Sequence, residues 1–193
     1  MTDSDAGLRA RLVDVGVELL AAEGAQALTL REIARRAGVS HGAPRRYFPT
    51  HRELLSAIAR RGVAELTDRA HAALERETGG PRARTAALAR TYLEFARERS
   101  GMYELMFRHD LLESGHLGLR ETTLPLFSLL VDQIGATDPD ADARRVAAAL
   151  WANLHGIAQL RRWRSLQLAL GDEDFEALLD TVLAAHLGPG DGR

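Results

Sequence analysis

A chain of 193 residues holds one large domain or two small ones, and 46% hydrophobic with 27% charged residues is ordinary globular composition with enough length for a core. Cysteine is absent, which excludes disulfides, thiolate metal sites and thiol nucleophiles. The net charge is −2, the apolar runs fall short of a membrane span, and the opening MTDSDAG is too polar for a signal peptide, so a cytoplasmic protein with no membrane partner is expected.

Leu8, Leu12, Val15, Leu19 and Leu20 recur at helical spacing and predict a first helix that Gly24 ends. Thr29-x-x-Glu32 is a capping box for a second helix, with Leu28 and Ile33 at staple positions and Leu30, Ile33, Ala34 and Ala37 inward. Gly38 supplies a left-handed stop, and Ser40 is placed to cap a third helix bracketed by Val39 and Phe48. Thr50-x-x-Glu53 repeats the box before a fourth helix carrying Leu54, Leu55, Ile58, Val63 and Leu66 to about Glu77. Two short helices joined by a glycine turn form a helix-turn-helix, whose second helix enters the DNA major groove. Eight arginines face two acids between Arg31 and Arg61, a balance of +6, whereas residues 62–193 carry −5. Basic charge gathered in one segment of an acidic chain suits a phosphate backbone. All 25 basic residues are arginine, which is ascribed to GC-rich coding rather than to selection at each site.

Gly79-Gly80-Pro81 is the clearest break in the chain. Beyond it, helices are predicted over about Arg82–Arg99, around Met102–Phe107, from His116 to Ile134 with a kink at Pro125, from about Ala141 to Leu166, and from Asp172 to Leu187. Ser114-Gly115 and Asp138-Pro139-Asp140 punctuate them, and Asp172, Glu173 and Asp174 suit the positive end of the last helix. No stretch alternates with period two. The expectation is an all-α protein of about nine helices: a three-helix DNA-binding domain over residues 1–55 and a helical bundle over 56–193.

At 100° per residue, Trp151 and His155 share a face with Ala147, Leu154 and Ala158, and Val146, Leu150, Ile157 and Leu160 lie on another. A helix apolar on both sides is buried on both sides. With Phe175, Leu178, Leu179 and Val182 of the last helix, the second face is expected to form a twofold homodimer through a four-helix contact. Such a dimer would hold two recognition helices about 34–36 Å apart.

The segment TLREIARRAGVSHGAPRRYFPTHRELL resembles the DNA-binding domain of the tetracycline-repressor (TetR) family, whose pattern runs T-x-x-x-I-A-x-x-A-G-V-S, then a short recognition helix, then Y/F-F-x-x-K-x-x-L. The likeness covers about Leu8 to Leu66, and Trp151, His155 and Gly156 resemble a W-x-x-x-H-G sequence in the C-terminal domain of one subgroup. It implies a homodimeric, ligand-responsive transcription factor, usually a repressor, that binds a double-stranded pseudo-palindromic operator. The family usually has Thr, Leu and Tyr at Ala43, Pro44 and Arg45, and Lys at His51, so commonly used phosphate donors are replaced. With Ser40 as cap, Pro44 predicts a recognition helix that begins irregularly or late.

The candidate DNA-binding residues are Thr29, Ser40, His41, Gly42, Ala43, Arg45, Arg46, Tyr47, Thr50 and His51. Arg45 and Arg46 lead, because an arginine fork binds guanine or phosphate. Thr29 and Thr50 are caps first, Gly42 allows close approach or simply makes a turn, and Tyr47 reaches phosphate or packs inward. Arg9 and Arg11 stand where an N-terminal arm would meet DNA. Tyr92, Phe95, Met102, Tyr103, Met106, Phe107, Trp151 and His155 either line a pocket for a small, mainly apolar effector or fill an ordinary core. His109, Asp110 and His116 have no recognised metal spacing. No cofactor is expected, and no nucleophile–base pair or phosphate-cradling loop points to an enzyme. The alternatives are an activator, a regulator without ligand response, or a helical adaptor docking on an acidic protein.

Overall fold

The computed structural model describes residues 3–112, 119–171 and 175–188. Among them are eleven α-helices, one 3-10 turn and no strand. In chain order these are α1 (Asp3–Glu23), α2 (Leu30–Arg36), α3 (Ala43–Tyr47), α4 (His51–Arg76), α5 (Pro81–Glu98), α6 (Ser100–Met106), α7 (His109–Leu112), α8 (Leu119–Thr137), α9 (Ala143–Arg162), α10 (Ser165–Leu170) and α11 (Phe175–Leu187). The 3-10 turn, Ala25–Ala27, links α1 to α2.

The chain forms two compact units that interleave in sequence: residues 1–65 with 99–122, and residues 66–98 with 123–193. The expected boundary at 55/56 falls inside α4, which supplies residues to both.

In the first unit, Leu12 and Leu19 of α1, Ile33 of α2, Leu54 and Ile58 of α4, and Tyr103 and Leu105 of α6 are buried together with Phe48, which follows α3. α6 lies close against α4. A Cβ on Gly62 would stand 2.8 Å from Met106 Sδ and closer still to Met102, so only glycine leaves room for the two thioethers.

In the second unit α5 packs on α9 and α11, and two of its arginines hold the two ends of α11. Arg82 donates to the carbonyls of Leu187 and Gly188 (3.1 and 2.7 Å), which terminate α11, and Arg90 pairs with Glu176 at its start (2.7 Å). Arg82 at the last turn of α11 and Glu176 in its first turn each complement the helix dipole. Pro125 lies inside α8, which continues to Thr137.

The expected long helix to Leu166 stops at Arg162. Arg164 takes the left-handed conformation (φ 60°) that glycine usually supplies, and α10 starts again at Ser165. No glycine or proline between Ala158 and Leu170 marks this break, so local punctuation gives no warning of it. The expected Ser114-Gly115 turn, the helix start at His116 and the acidic start at Asp172–Asp174 lie outside the described residues.

Candidate nucleic-acid interface and effector site

The helix-turn-helix is held by local hydrogen bonds. Thr29 Oγ1 accepts the Glu32 amide (3.1 Å), capping α2 as the sequence predicts. The Glu32 carboxylate does not complete the reciprocal box; it accepts instead from Arg35 (2.6 and 2.9 Å) and Arg36 (2.8 Å). Hydrogen bonds from these two guanidinium groups, Arg35 first, lower its pKa from 4.5 to about 2. At the other end Gly38 has φ 64°, Val39 N–H donates to Ala34 O (3.0 Å) and Gly38 N–H to Arg35 O (3.2 Å). This paired arrangement is the Schellman stop.

Ser40 does not cap the next helix. Its carbonyl accepts the Ala43 amide (3.0 Å) in a turn, and Gly42 takes the cap position with no side-chain bond. Pro44 therefore falls in the first turn of α3, where its missing N–H is tolerated, and the recognition helix begins late and is five residues long. Gly42 has φ −83° and open space where a Cβ would be, so nothing within the protein requires glycine there.

Pro44 and Phe48 are buried and Tyr47 is half-buried, while His41, Arg45 and Arg46 are exposed. Thr50 Oγ1 accepts the Glu53 amide (3.2 Å) and donates to the Glu53 carboxylate (3.1 Å). The His51 ring bonds to the Leu28 carbonyl, tying the start of α4 to the residue before the Thr29 cap.

The arginines fall into two groups. Arg35 and Arg36 are held by Glu32, with Glu23 also on Arg36, and Arg61 pairs with Asp14 (2.5 Å). Arg31, Arg45, Arg46, Arg52 and Arg60 are exposed and form no ion pair within 4 Å among the described residues, although the Arg52 charge helps to lower the Asp110 pKa. Arg31 and Arg52 were not among the sequence-derived candidates. The signal was a repeated T-x-R-E, from Thr29 and again from Thr50, which sets one arginine in the first turn of α2 and one in that of α4. Arg9 and Arg11 do not form an arm. The Arg9 guanidinium sits 4.9 Å from the centre of the Phe48 ring, and Arg11 bonds to the Ala37 carbonyl.

The candidate effector residues divide between the two units. Met102, Tyr103 and Met106 are buried and Phe107 half-buried in the first, with the Tyr103 and Phe107 rings 4.8 Å apart. In the second, the Tyr92 hydroxyl lies 3.0 Å from His155 Nδ1, and the Trp151 ring is 6.1 Å from His155 and 6.5 Å from Phe127. Burial lowers the His155 pKa and favours the neutral imidazole. Trp151 is 40% exposed, whereas Phe95 is fully buried beneath Arg69. Phe127, absent from the sequence-derived set, completes an aromatic group from α5, α8 and α9.

The candidate dimer residues require a correction. Leu150 and Leu179 are 0% exposed and Ile157 is buried, so these three belong to the unit's own core; Val146, Phe175, Leu178 and Val182 are half-buried, and only Leu160 is exposed. Ala147, Leu150, Leu154, Ile157 and Ala158 form one inward stripe rather than two faces. The opposite side of α9 exposes Ala148, Ala149, Ala152 and Asn153, and α11 exposes Ala177, Thr181, Ala184 and Ala185. Asn153 and His186 link the two helices (2.7 Å).

Among the described residues no three His, Cys, Asp or Glu side chains gather as a metal site, and no helix is long and apolar enough to cross a membrane. His116 lies outside the described residues.

Comparison with known proteins agrees with this geometry. Residues 12–58 match the family described as bacterial regulatory proteins, tetR family, and residues 85–186 match the tetracyclin repressor-like C-terminal domain. The HTH-type transcriptional regulator BetI of Rhizobium meliloti (strain 1021) is 31% identical over 191 residues, covering 96% of this chain and 92% of its own. A solved protein from Rhodococcus sp. RHA1 superposes with a TM-score of 0.79 at 32% identity, covering 92% of this chain and 94% of that one. A TetR-family transcriptional regulator from Streptomyces coelicolor superposes with a TM-score of 0.68 at 26% identity over 95% of this chain and 97% of that one.

Proposed function

The chain belongs to the TetR family of DNA-binding transcriptional regulators, and from that premise we propose that it is a cytoplasmic, ligand-responsive repressor acting as a homodimer on a pseudo-palindromic operator. Residues 1–55 carry the DNA contacts, and residues 56–193 carry the effector and dimer surfaces. No catalytic role is assigned.

The observation that carries this reading is the division of the arginines. Glu32, Glu23 and Asp14 neutralise Arg35, Arg36 and Arg61, which leaves Arg45 and Arg46 on the recognition helix as exposed cations. Arg31 and Arg52, beside the capped starts of α2 and α4, add two phosphate contacts per protomer. Thr29, Thr50 and His51 then position backbone rather than bind DNA through their side chains, while Ser40, His41, Gly42, Ala43 and Tyr47 flank the contact. Four contacts on each protomer set the salt dependence: log K should fall with log[salt] with a slope of about −7 for the dimer, at ~0.9 per phosphate neutralised.

The group formed by Tyr92, Phe127, Trp151 and His155 is the effector site, mainly aromatic, with a neutral imidazole and a phenol as polar anchors. The exposed small-residue sides of α9 and α11 meet their twofold copies. The ligand acts by binding more tightly to one separation of the recognition helices than to the other, and α6, seated on α4 at Gly62, is the element it biases.

Selection of bound sequences from a random duplex pool tests the reading. The expected consensus has twofold symmetry with half-sites about one helical turn apart. Replacing Arg45 and Arg46 together with alanine should lower affinity and reduce the salt slope while leaving the dimer intact. A wild-type protein that selects no sequence and binds no duplex would overturn it.

A further inference from the structure

We propose that Arg11 and Arg9 of α1 are positioning residues for the recognition helix, setting its angle to the DNA without touching the DNA themselves. The inference rests on the DNA-binding reading above.

A five-residue helix cannot hold its own direction. Isolated helices shorter than about 12–15 residues are marginal in water, and α3 closes few bonds of its own, among them Phe48 N–H to Pro44 O (2.8 Å) and Arg45 N–H to Gly42 O (3.3 Å). Its placement therefore depends on what holds its two flanks. One flank is the turn that starts where α2 ends, at Ala37 and Gly38. The other is Phe48, the residue at which α3 stops.

α1 supplies a guanidinium to each. Arg11 bonds to the Ala37 carbonyl, one of the last-turn acceptors that a helix cannot satisfy internally, at the negative end of the α2 dipole. The same Arg11 group lies 3.5 Å from the Cβ position of Gly38, so it covers the stop itself. Arg9, two residues earlier, stacks its cation on the Phe48 ring, which is 1% exposed. The two arginines together fix both ends of the segment from residue 37 to residue 48, and that segment contains Arg45 and Arg46. Both residues are exposed, but each guanidinium has a partner within the unit, the Phe48 ring or the Ala37 carbonyl, which distinguishes them from Arg31, Arg45 and Arg46.

Positioning and phosphate contact have different signatures. An arginine that neutralises phosphate contributes to the salt slope; one that only aims the helix changes affinity at every salt concentration alike. The experiment is an operator titration across salt concentrations for the full-length wild type and for Arg11→Ala, Arg11→Lys, Arg9→Leu and Arg45→Ala. Circular dichroism of each variant confirms the folded chain.

Arg11→Ala should weaken binding about tenfold, from loss of a charged hydrogen bond, with the slope unchanged. Arg11→Lys should restore most of the affinity, since an ammonium also donates to Ala37 O. Arg9→Leu should fall between. Arg45→Ala should flatten the slope by about 1.8 for the dimer. A slope change in Arg11→Ala matching that of Arg45→Ala would overturn the proposal and make Arg11 a DNA contact, and so would unchanged affinity. If Arg11→Ala unfolds, Arg11→Lys and Arg9→Leu decide it by the same slope criterion. Failure of the wild type itself to bind would count against the functional reading rather than against this one.

Discussion

The helix-turn-helix and the α5–α9–α11 group hold their helices in different ways. From Thr29 to Glu53, most turns are closed by partners three to five residues away: Thr29 on Glu32, Val39 on Ala34, Ala43 on Ser40, Thr50 on Glu53. In the second unit the ties join residues far apart in the chain, such as Arg82 to Leu187, Arg90 to Glu176, Tyr92 to His155 and Asn153 to His186. A motif whose turns are closed by near neighbours forms locally, and it takes only a few longer ties, Arg9 and Arg11 of α1 and the His51–Leu28 contact, to set its helices. A bundle closed by distant pairs changes as a whole, which fits the ligand-accepting role proposed for it.

Substitution tests this contrast, the largest effect coming from the second unit. Leu150→Ala empties a fully enclosed site in that unit and should cost about 2–5 kcal/mol, read by urea unfolding at several protein concentrations. A loss seen only as dimer dissociation on dilution would return Leu150 to an interface role. Gly38→Ala forces a Cβ into a left-handed residue (φ 64°) and should cost about 1–2 kcal/mol, with operator affinity falling in parallel. Thr29→Ala removes one cap and should cost about 1 kcal/mol, with no effect on the Tyr92–His155 contact as followed by the His155 ring resonances.

The smallest effect is electrostatic. Glu32 titrates in the folded chain at about 2, below its ordinary 4.5, so its contribution to stability is present above about pH 4.5 and is lost as the pH falls through about 2. An NMR titration of its side-chain carboxyl checks this. A midpoint near 4.5 would mean that Arg35 and Arg36 are not held by Glu32, and the division of the arginines would have to be redrawn.

The same contrast explains what the sequence made legible. The caps at Thr29 and Thr50, the stop at Gly38 and the late start forced by Pro44 are chemical signals carried within a few residues, and the structure follows each of them, whereas Glu32 leaves its box for Arg35 and Arg36 and Ser40 caps nothing. That serine lost its role because Gly42 and Pro44 moved the helix start past it. The inward side of α9 was misread because Ala147, Leu154 and Ala158 were set on one face and Leu150 and Ile157 on another, whereas all five form one buried stripe, with Trp151 and Leu160 exposed at its margins. The elbow at Arg164 left no trace, since an arginine takes the left-handed turn there, at a cost of about 1–2 kcal/mol, where glycine would have marked it. Phe127 and the pairing of Tyr92 with His155 depend on helix packing, which no periodicity encodes.

The shortness of α3 bears on how much of an operator this protein can discriminate. Five helical residues rise about 7 Å, and base pairs are stacked about 3.4 Å apart, so one reading head spans roughly two steps of the duplex. A window that narrow carries little information by itself. Selectivity must come mostly from the distance between paired windows and from how readily the intervening DNA bends or twists, so inserting or deleting a base pair at the operator centre should harm binding more than altering a letter outside either window.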